Sequence, residues 1–232
     1  MEILNIEKRF GETLILDKIS LTIYPKQINV ILGPSGCGKS TLLQIIAGLD
    51  KDFEGYINGI TQHKIAYVFQ EERLLEWRNV EKNILYASSG KVEKERLLDY
   101  GKALGLSEYL KYRPSQLSGG LRQRVNLLRA FLYPASLLLM DEPFKSLDIQ
   151  TKEETINLFL RVQKEKELTV LLVTHSLEEA IQLGNYIHIF SNKPTRRLDT
   201  FTNPYFSSAK TYSIEDKESF LNEVKEMIKI KN

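Results

Sequence analysis

Residues 28–49 read INVILGPSGCGKSTLLQIIAGL. INVIL is a continuous apolar run of strand length, Gly33 to Gly38 break it, and from Lys39 a helix begins, with Leu42, Leu43, Ile46 and Ala47 on one face and Gly48 near its end. The loop GPSGCGKS at 33–40 fits the pattern G-x-x-x-x-G-K-[ST] and sits between strand and helix, the setting that pattern requires. Gly33, Gly36 and Gly38, with Pro34, Ser35 and Cys37 between them, let the backbone curl until its N–H groups point into one concavity. That concavity and the helix N-terminus favour a polyanion. Lys39 supplies a mobile positive charge for terminal phosphates, the Ser40 hydroxyl suits Mg²⁺, and Thr41 adds a contact to an inner phosphate.

Outward from this stretch, strands and helices alternate. Residues 2–32 read as strands, EGYIN and KIAYVF as further strands. From Val80 to about Tyr112 the pattern is helical and polar, with one amphipathic helix over Glu93–Leu104. A helix follows from about Gly119 to Leu132, then strand LLLM, a helix from about Gln150 to Gln163, strand TVLLVT, a helix over Leu177–Leu183 capped by Ser176 and Glu179, and strand YIHIF. Such alternation implies an α/β fold with a mainly parallel sheet, preceded by a β-rich N-terminal region, into which a helical lobe at about 80–132 is inserted. The expected main domain covers residues 1–195. After Pro194 the regular pattern lapses until Ser213, where a last amphipathic helix with Phe220, Val224, Met227 and Ile228 on one stripe closes the 196–232 extension.

Two further strand ends carry polar groups. LLLMDEP at 137–143 is an apolar strand ending in two carboxylates, at the sheet edge where parallel sheets bind ligands. Asp141 suits Mg²⁺, directly or through water, and Glu142 is then placed to polarise an attacking water. TVLLVTHS at 169–176 ends in His175, on the same expected edge, where an imidazole reaches a terminal phosphate or orients Glu142. His63 and His188 have no such context and read as structural or exposed.

Composition sets outer limits. Lys and Arg number 32 against 30 Asp and Glu in 232 residues, a net charge of +2 that does not nominate nucleic acid as a partner. One cysteine leaves no internal disulfide framework, the N-terminus does not read as a secretory signal, and no apolar run approaches the ~18 residues a spanning helix needs. Action at a membrane therefore requires a partner that spans it.

LSGGLRQR at 117–124, a short helix ahead of the acid strand, resembles the signature of the nucleotide-binding subunits of ABC transporters. Ser118, Gly119 and Gly120 form an exposed helix N-terminus, an anion site with no anion of its own nearby. The resemblance implies that this site binds the terminal phosphate of ATP held by a second subunit, so that two ATP molecules are sandwiched in a head-to-tail dimer. It also implies that Phe10 stacks on adenine, unless it is a core aromatic, that Gln70 reaches Mg²⁺ and water and links the site to the membrane subunits, and that SLD at 146–148 crosses the dimer interface with Asp148 as its acidic member. The implied partners are a second copy, two transmembrane permease subunits and, indirectly, an extracytoplasmic solute-binding protein; the implied place is the cytoplasmic face of the membrane. The segment VFQEERLLEWRNVEKNI at 68–84 resembles importers of the nitrate, sulfonate, taurine and bicarbonate group, with Glu76 where proline is usual and Trp77 and Arg78 either facing a docking helix or covering the core edge. Leu121 and Lys145 depart from the family pattern, Lys145 placing an extra cation where small residues are usual. Alkylation of Cys37, in a variable loop position near a helix N-terminus, is expected to slow hydrolysis, and ATP to protect against it. The competing class is a soluble ABC ATPase that moves no solute, such as one in iron–sulfur assembly.

Overall fold

The computed structural model describes residues 1–88 and 92–204, together with Phe206, Asn222, Val224 and Glu226. In chain order the elements are strands β1 (Glu2–Phe10), β2 (Thr13–Thr22) and β3 (Ile28–Leu32), helix α1 (Lys39–Ile46), strands β4 (Glu54–Asn58) and β5 (Ile65–Val68), helices α2 (Val80–Ala87), α3 (Lys94–Ala103) and α4 (Gly119–Leu132), strand β6 (Leu137–Asp141), helix α5 (Ile149–Lys166), strand β7 (Thr169–Thr174), helix α6 (Leu177–Leu183), and strands β8 (Tyr186–Phe190) and β9 (Arg197–Thr202). Met1–His63 and the chain from Thr169 onward make one compact unit, and Lys64–Leu168 a second.

In the first unit β1 pairs antiparallel with β2 on one side and β4 on the other. Ile3, Ile6, Leu16, Ile19 and Leu21 supply the buried face of that sheet. A second set of strands is parallel: β3 lies between β7 and β8, with Leu32 opposite Thr174 on one side and Ile189 on the other. Every residue of β3 and β7 is buried, the mark of strands covered on both faces, and it explains why INVIL and TVLLVT read as continuous apolar runs rather than alternating ones. Asn29 is the polar exception in β3. Its amide accepts from Tyr24 N at 2.8 Å and donates to Tyr24 O, Gln27 O and Val170 O at 3.0 to 3.2 Å, so a buried side chain ties the turn before β3 to the neighbouring strand.

The second unit pairs β5 with β6 in parallel and surrounds them with helices. Helix α4 buries Val125, Leu127, Leu128 and Phe131, and α5 buries Ile156, Phe159 and Val162. The Phe131 and Phe159 rings stack with centroids 6.2 Å apart. Tyr100 of α3 donates to Glu165 of α5 at 2.9 Å; burial first, then that bond, pushes its hydroxyl up to about 12.

Three readings of the sequence change. The polar helical stretch from Val80 resolves into α2 and α3, followed by short 3-10 turns at Ser107–Tyr109 and Pro114–Gln116. The regular pattern does not lapse after Pro194, because β9 pairs antiparallel with β8. RLDTFT is half-exposed along its length, so no apolar alternation announces it; its threonines and backbone pairing make the strand. Of the last helix, Asn222, Val224 and Glu226 are helical and Val224 is buried, whereas Ser213, Phe220, Met227 and Ile228 lie outside the described residues. Among the described residues no helix is long and apolar enough to cross a membrane.

Replacing Asn29 with leucine keeps the volume and removes four hydrogen bonds, one of them to the buried carbonyl of Val170 and the others to the half-buried backbone of Tyr24 and Gln27. The expected result is a lower midpoint of urea unfolding with an unchanged slope, corresponding to a loss of about 3 kcal/mol; an unchanged midpoint rules out the amide as a tie.

Candidate functional site

The phosphate loop lies in the first unit. Strand β3 ends at Leu32, and α1 starts at Lys39 after a loop of six residues. Gly38 stands at φ 109° as the residue before α1, and a Cβ there would meet Ile15 Cγ2 at 2.9 Å and Leu16 Cδ2 at 3.0 Å. A Cβ on Gly33 would meet the Phe190 Cβ at 3.0 Å and the Phe190 carbonyl oxygen at 3.2 Å. Glycine at both places lets the chain pass close to β2 and β8 and turn into the helix.

Helix α1 has no side-chain cap at its N-terminus. Of the other helices, α2, α4, α5 and α6 are capped by Asn79, Ser118, Asp148 and Ser176, each accepting a hydrogen bond from the backbone three residues on, whereas α3, like α1, has no side-chain cap. The first amides of α1 are therefore left to an outside acceptor, and the macrodipole favours a negative one. Lys39 is only 4% exposed and folds back over the loop, donating to Gly33 O at 2.9 Å and Pro34 O at 2.6 Å. Two of its three N–H groups are used on neutral carbonyls, and an anion in the concavity meets a positive charge already at hand. Ser40 and Thr41 follow in the first turn, half-buried.

Two more of the expected residues belong to this unit. Because Leu32 is opposite Thr174 in parallel register, Gly33 and the exposed His175 leave the strands at the same carboxyl edge. The turn after β7 is fixed by Thr174 Oγ1, which accepts from Ser176 N at 3.0 Å and donates to Glu179 Oε2 at 2.7 Å. Ser176 caps Glu179 N as the sequence suggests, and the Glu179 carboxylate accepts a hydrogen bond from the Thr174 hydroxyl. Phe10 is 55% exposed at the end of β1, so it is not a core aromatic. The Lys8 ammonium lies 5.0 Å from its ring centroid and is itself paired with Asp50 at 2.9 Å. Phe10 is opposite Thr13, three residues along β2 from the Leu16 that touches Gly38, which puts its ring roughly 10 Å along the strand from the loop.

The second unit holds Gln70, Ser118–Gly120, Asp141, Glu142 and Asp148. Asp141 ends β6, buried; Glu142 follows at φ 45°, left-handed, with Pro143 and the buried Phe144 after it. Ser118 is exposed and caps α4 by accepting from Leu121 N at 3.3 Å, so its oxygen is engaged while the hydroxyl remains able to donate. A Cβ on Gly120 would lie 3.7 Å from Ser146 O, so the signature and the loop after the acid pair are neighbours. Asp148 is exposed and caps α5, and the hydrogen bond from the Thr151 backbone holds its carboxyl below the usual range. Gln70 is exposed two residues beyond β5.

A row of polar residues on α4 was not singled out from the sequence and organises these loops. Gln123 donates to Pro143 O at 2.7 Å, Asn126 to Phe69 O at 3.3 Å, and Arg129 to Glu72 O and Arg73 O at 3.1 Å each. Arg129 also donates to Asn126 Oδ1 at 2.9 Å. One helix face thus holds both the chain that follows the acid pair and the chain around Gln70. The signal was present: Gln123, Asn126 and Arg129 repeat every three residues on an otherwise apolar face, where buried polar groups occur only with partners.

Other residues fall outside the site. His188 is buried, its Nδ1 2.9 Å from Thr200 Oγ1, and burial, then Arg197, pushes it down to about 4, consistent with a structural neutral imidazole. Trp77 is 72% exposed and covers no core, and Arg78 lies over the Tyr86 ring.

Strand, glycine loop and uncapped helix together define a nucleotide-binding core of the P-loop kind. A model of the ABC transporter family matches residues 16–145. The chain is 38% identical over 219 residues to the aliphatic sulfonates import ATP-binding protein SsuB of Bacillus cereus, covering 90% of this chain and 87% of that protein. It is 41% identical over 203 residues to the aliphatic sulfonates import ATP-binding protein SsuB 1 of Rhodococcus jostii, covering 85% and 81%. Among solved structures, the dimeric structure of MJ0796, a bacterial ABC transporter cassette, matches with a TM-score of 0.75 at 28% identity, covering 88% of this chain and 99% of that one. The dimeric post-hydrolysis state of that cassette bound to ADP and Pi gives 0.74 at 29% identity over the same shares. This chain belongs to the ABC transporter family, and the two relatives are by name sulfonate members of the importer group that residues 68–84 resemble.

The expectation of a reactive Cys37 is corrected by its burial: the residue is 2% exposed and its own carbonyl accepts from Thr195 Oγ1. As the chain has a single cysteine, intact mass after maleimide treatment reads this site alone. Slow labelling of the folded protein and rapid labelling in denaturant are expected; rapid native labelling would mean that the loop opens.

Proposed function

We propose that this chain is the ATP-binding and ATP-hydrolysing subunit that powers solute import by an ABC transporter, working as a head-to-tail dimer with two nucleotides between the subunits. The observation that carries this reading is the uncapped α1 N-terminus beneath the buried Lys39 ammonium, a positive concavity built for phosphate.

In this reading the loop from Gly33 to Thr41 binds the phosphates, with Lys39 turning from its carbonyl partners to the terminal phosphate oxygens. Phe10 offers the adenine an exposed face already backed by Lys8. Ser40, Asp141 and Gln70 are oxygen donors of the kind Mg²⁺ accepts alongside phosphate oxygens, and the ion, when bound, neutralises charge on the phosphates. Glu142 accepts a proton from the attacking water, while Gln70 and His175 orient that water and donate to the developing charge. Ser118, with the backbone of Gly119 and Gly120, supplies hydrogen-bond donors to the nucleotide of the partner copy, and Asp148 acts at the interface between copies. Closure of the dimer then completes the site and excludes water.

The relatives' names and the exposed Trp77 beside Arg78 favour the importer reading over a soluble assembly ATPase. The partners are two membrane-spanning permease subunits, with an extracytoplasmic binding protein delivering solute to them, and the chain sits peripherally on the cytoplasmic face. Aliphatic sulfonates are the solutes to test first, because both relatives are named for their import.

The test is ATP hydrolysis and size-exclusion chromatography of the purified chain in ATP and Mg²⁺. Wild type is expected to hydrolyse slowly, Glu142→Gln to lose at least about 100-fold in kcat while accumulating as an ATP-dependent dimer, and Lys39→Ala to lose nucleotide binding. Wild-type turnover by Glu142→Gln rules out that carboxylate as the base. Copurification with a membrane protein separates a transporter subunit from a soluble ATPase.

A further inference from the structure

Lys145 stands where the family pattern has a small residue, and the structure shows what its side chain does: Nζ lies 2.8 Å from Glu142 Oε2. The loop between them is held in place. Lys145 N bonds to Glu142 O at 3.3 Å, Pro143 O accepts from Gln123, and Phe144 is buried. Pairs three residues apart on an exposed surface contribute little and are commonly incidental. This pair is asymmetric, however: the Glu142 side chain is only 10% exposed and the Lys145 side chain 53%. The carboxylate is fixed by its left-handed backbone and its burial, and the flexible partner is the lysine, which can leave for solvent without disturbing the fold.

We propose that Lys145 is a positioning residue that restrains hydrolysis in the resting subunit by pairing with one oxygen of the carboxylate that accepts a proton from water. This rests on the reading of Glu142 as the base. An oxygen already paired with an ammonium at 2.8 Å offers a weaker and less accessible lone pair to water, so turnover requires the lysine to swing outward. The neighbourhood couples that swing to assembly. Gly120 of the signature lies against Ser146 O, and Gln123 of the same helix holds Pro143, so a partner's nucleotide docking on Ser118–Gly120 presses on the loop that carries Lys145. The cation is thus a brake on futile hydrolysis by subunits not yet engaged with a partner.

The experiment compares kcat and KM for ATP in the full-length wild type, Lys145→Ala, Lys145→Gln and Lys145→Arg, with Glu142→Gln as a reference. Removing the cation, with either alanine or glutamine, is expected to raise basal kcat about two- to fivefold with KM unchanged, the scale of a half-exposed ion pair, and Lys145→Arg is expected to restore the wild-type rate. Unchanged or lower kcat in both neutral variants, with Glu142→Gln inactive, overturns the restraint while leaving the base in place. Full activity of Glu142→Gln overturns the base itself and the restraint with it.

Discussion

A lysine ammonium is buried at the mouth of a glycine loop, and among the described residues its hydrogen-bond partners are two carbonyl oxygens of that loop. A buried cation that meets dipoles rather than a carboxylate is poorly compensated, and the deficit is met when an anion arrives. Much of the first unit serves this arrangement. Fully buried β3 aims the loop, the close approach of Ile15, Leu16 and Phe190 enforces glycine at its bends, and α1 begins without a cap so that its amides point at the same space.

The second unit solves a different problem, keeping chemical groups from distant parts of the chain in fixed relation. Its device is α4, whose polar residues reach carbonyls in two loops more than fifty residues apart while its apolar residues are packed against α5 and its neighbours. Such bonds to backbone carbonyls define the path of a loop rather than the identity of its side chains. The loops around Gln70 and Glu142 can therefore hold functional residues in unusual conformations, Glu142 at a positive φ among them, because the strain is absorbed by a rigid helix.

What was legible in the sequence follows the range of the interactions. The phosphate loop was readable residue by residue, since strand, glycines, lysine and helix lie within about twenty positions and each has a local reason. The acid strand and the strand ending in His175 were legible as buried runs with polar ends, and α4, α6 and β8 were bounded correctly because their apolar patterns are strong. The function of Ser118–Gly120 was visible only through resemblance, as an empty helix N-terminus does not say whose phosphate it meets. The row Gln123, Asn126 and Arg129, the burial of Cys37 and the hold of Lys145 on Glu142 depend on segments brought together by the fold, and β9 depends on pairing rather than on its own side chains.

Strand β9 also marks where the chain tolerates cutting. A truncation drawn at residue 195, where the sequence pattern falters, would strip β8 of its antiparallel neighbour and leave the backbone donors and acceptors of Tyr186–Phe190 open along one side. An uncovered edge carrying Ile187, Ile189 and Phe190 is a template for pairing with other chains, so such a fragment is prone to aggregate even with its nucleotide loop intact. A soluble minimal version has to run past Asn203, whose side-chain amide holds the carbonyls of Ile181 and Gly184 and fastens the end of the strand to α6.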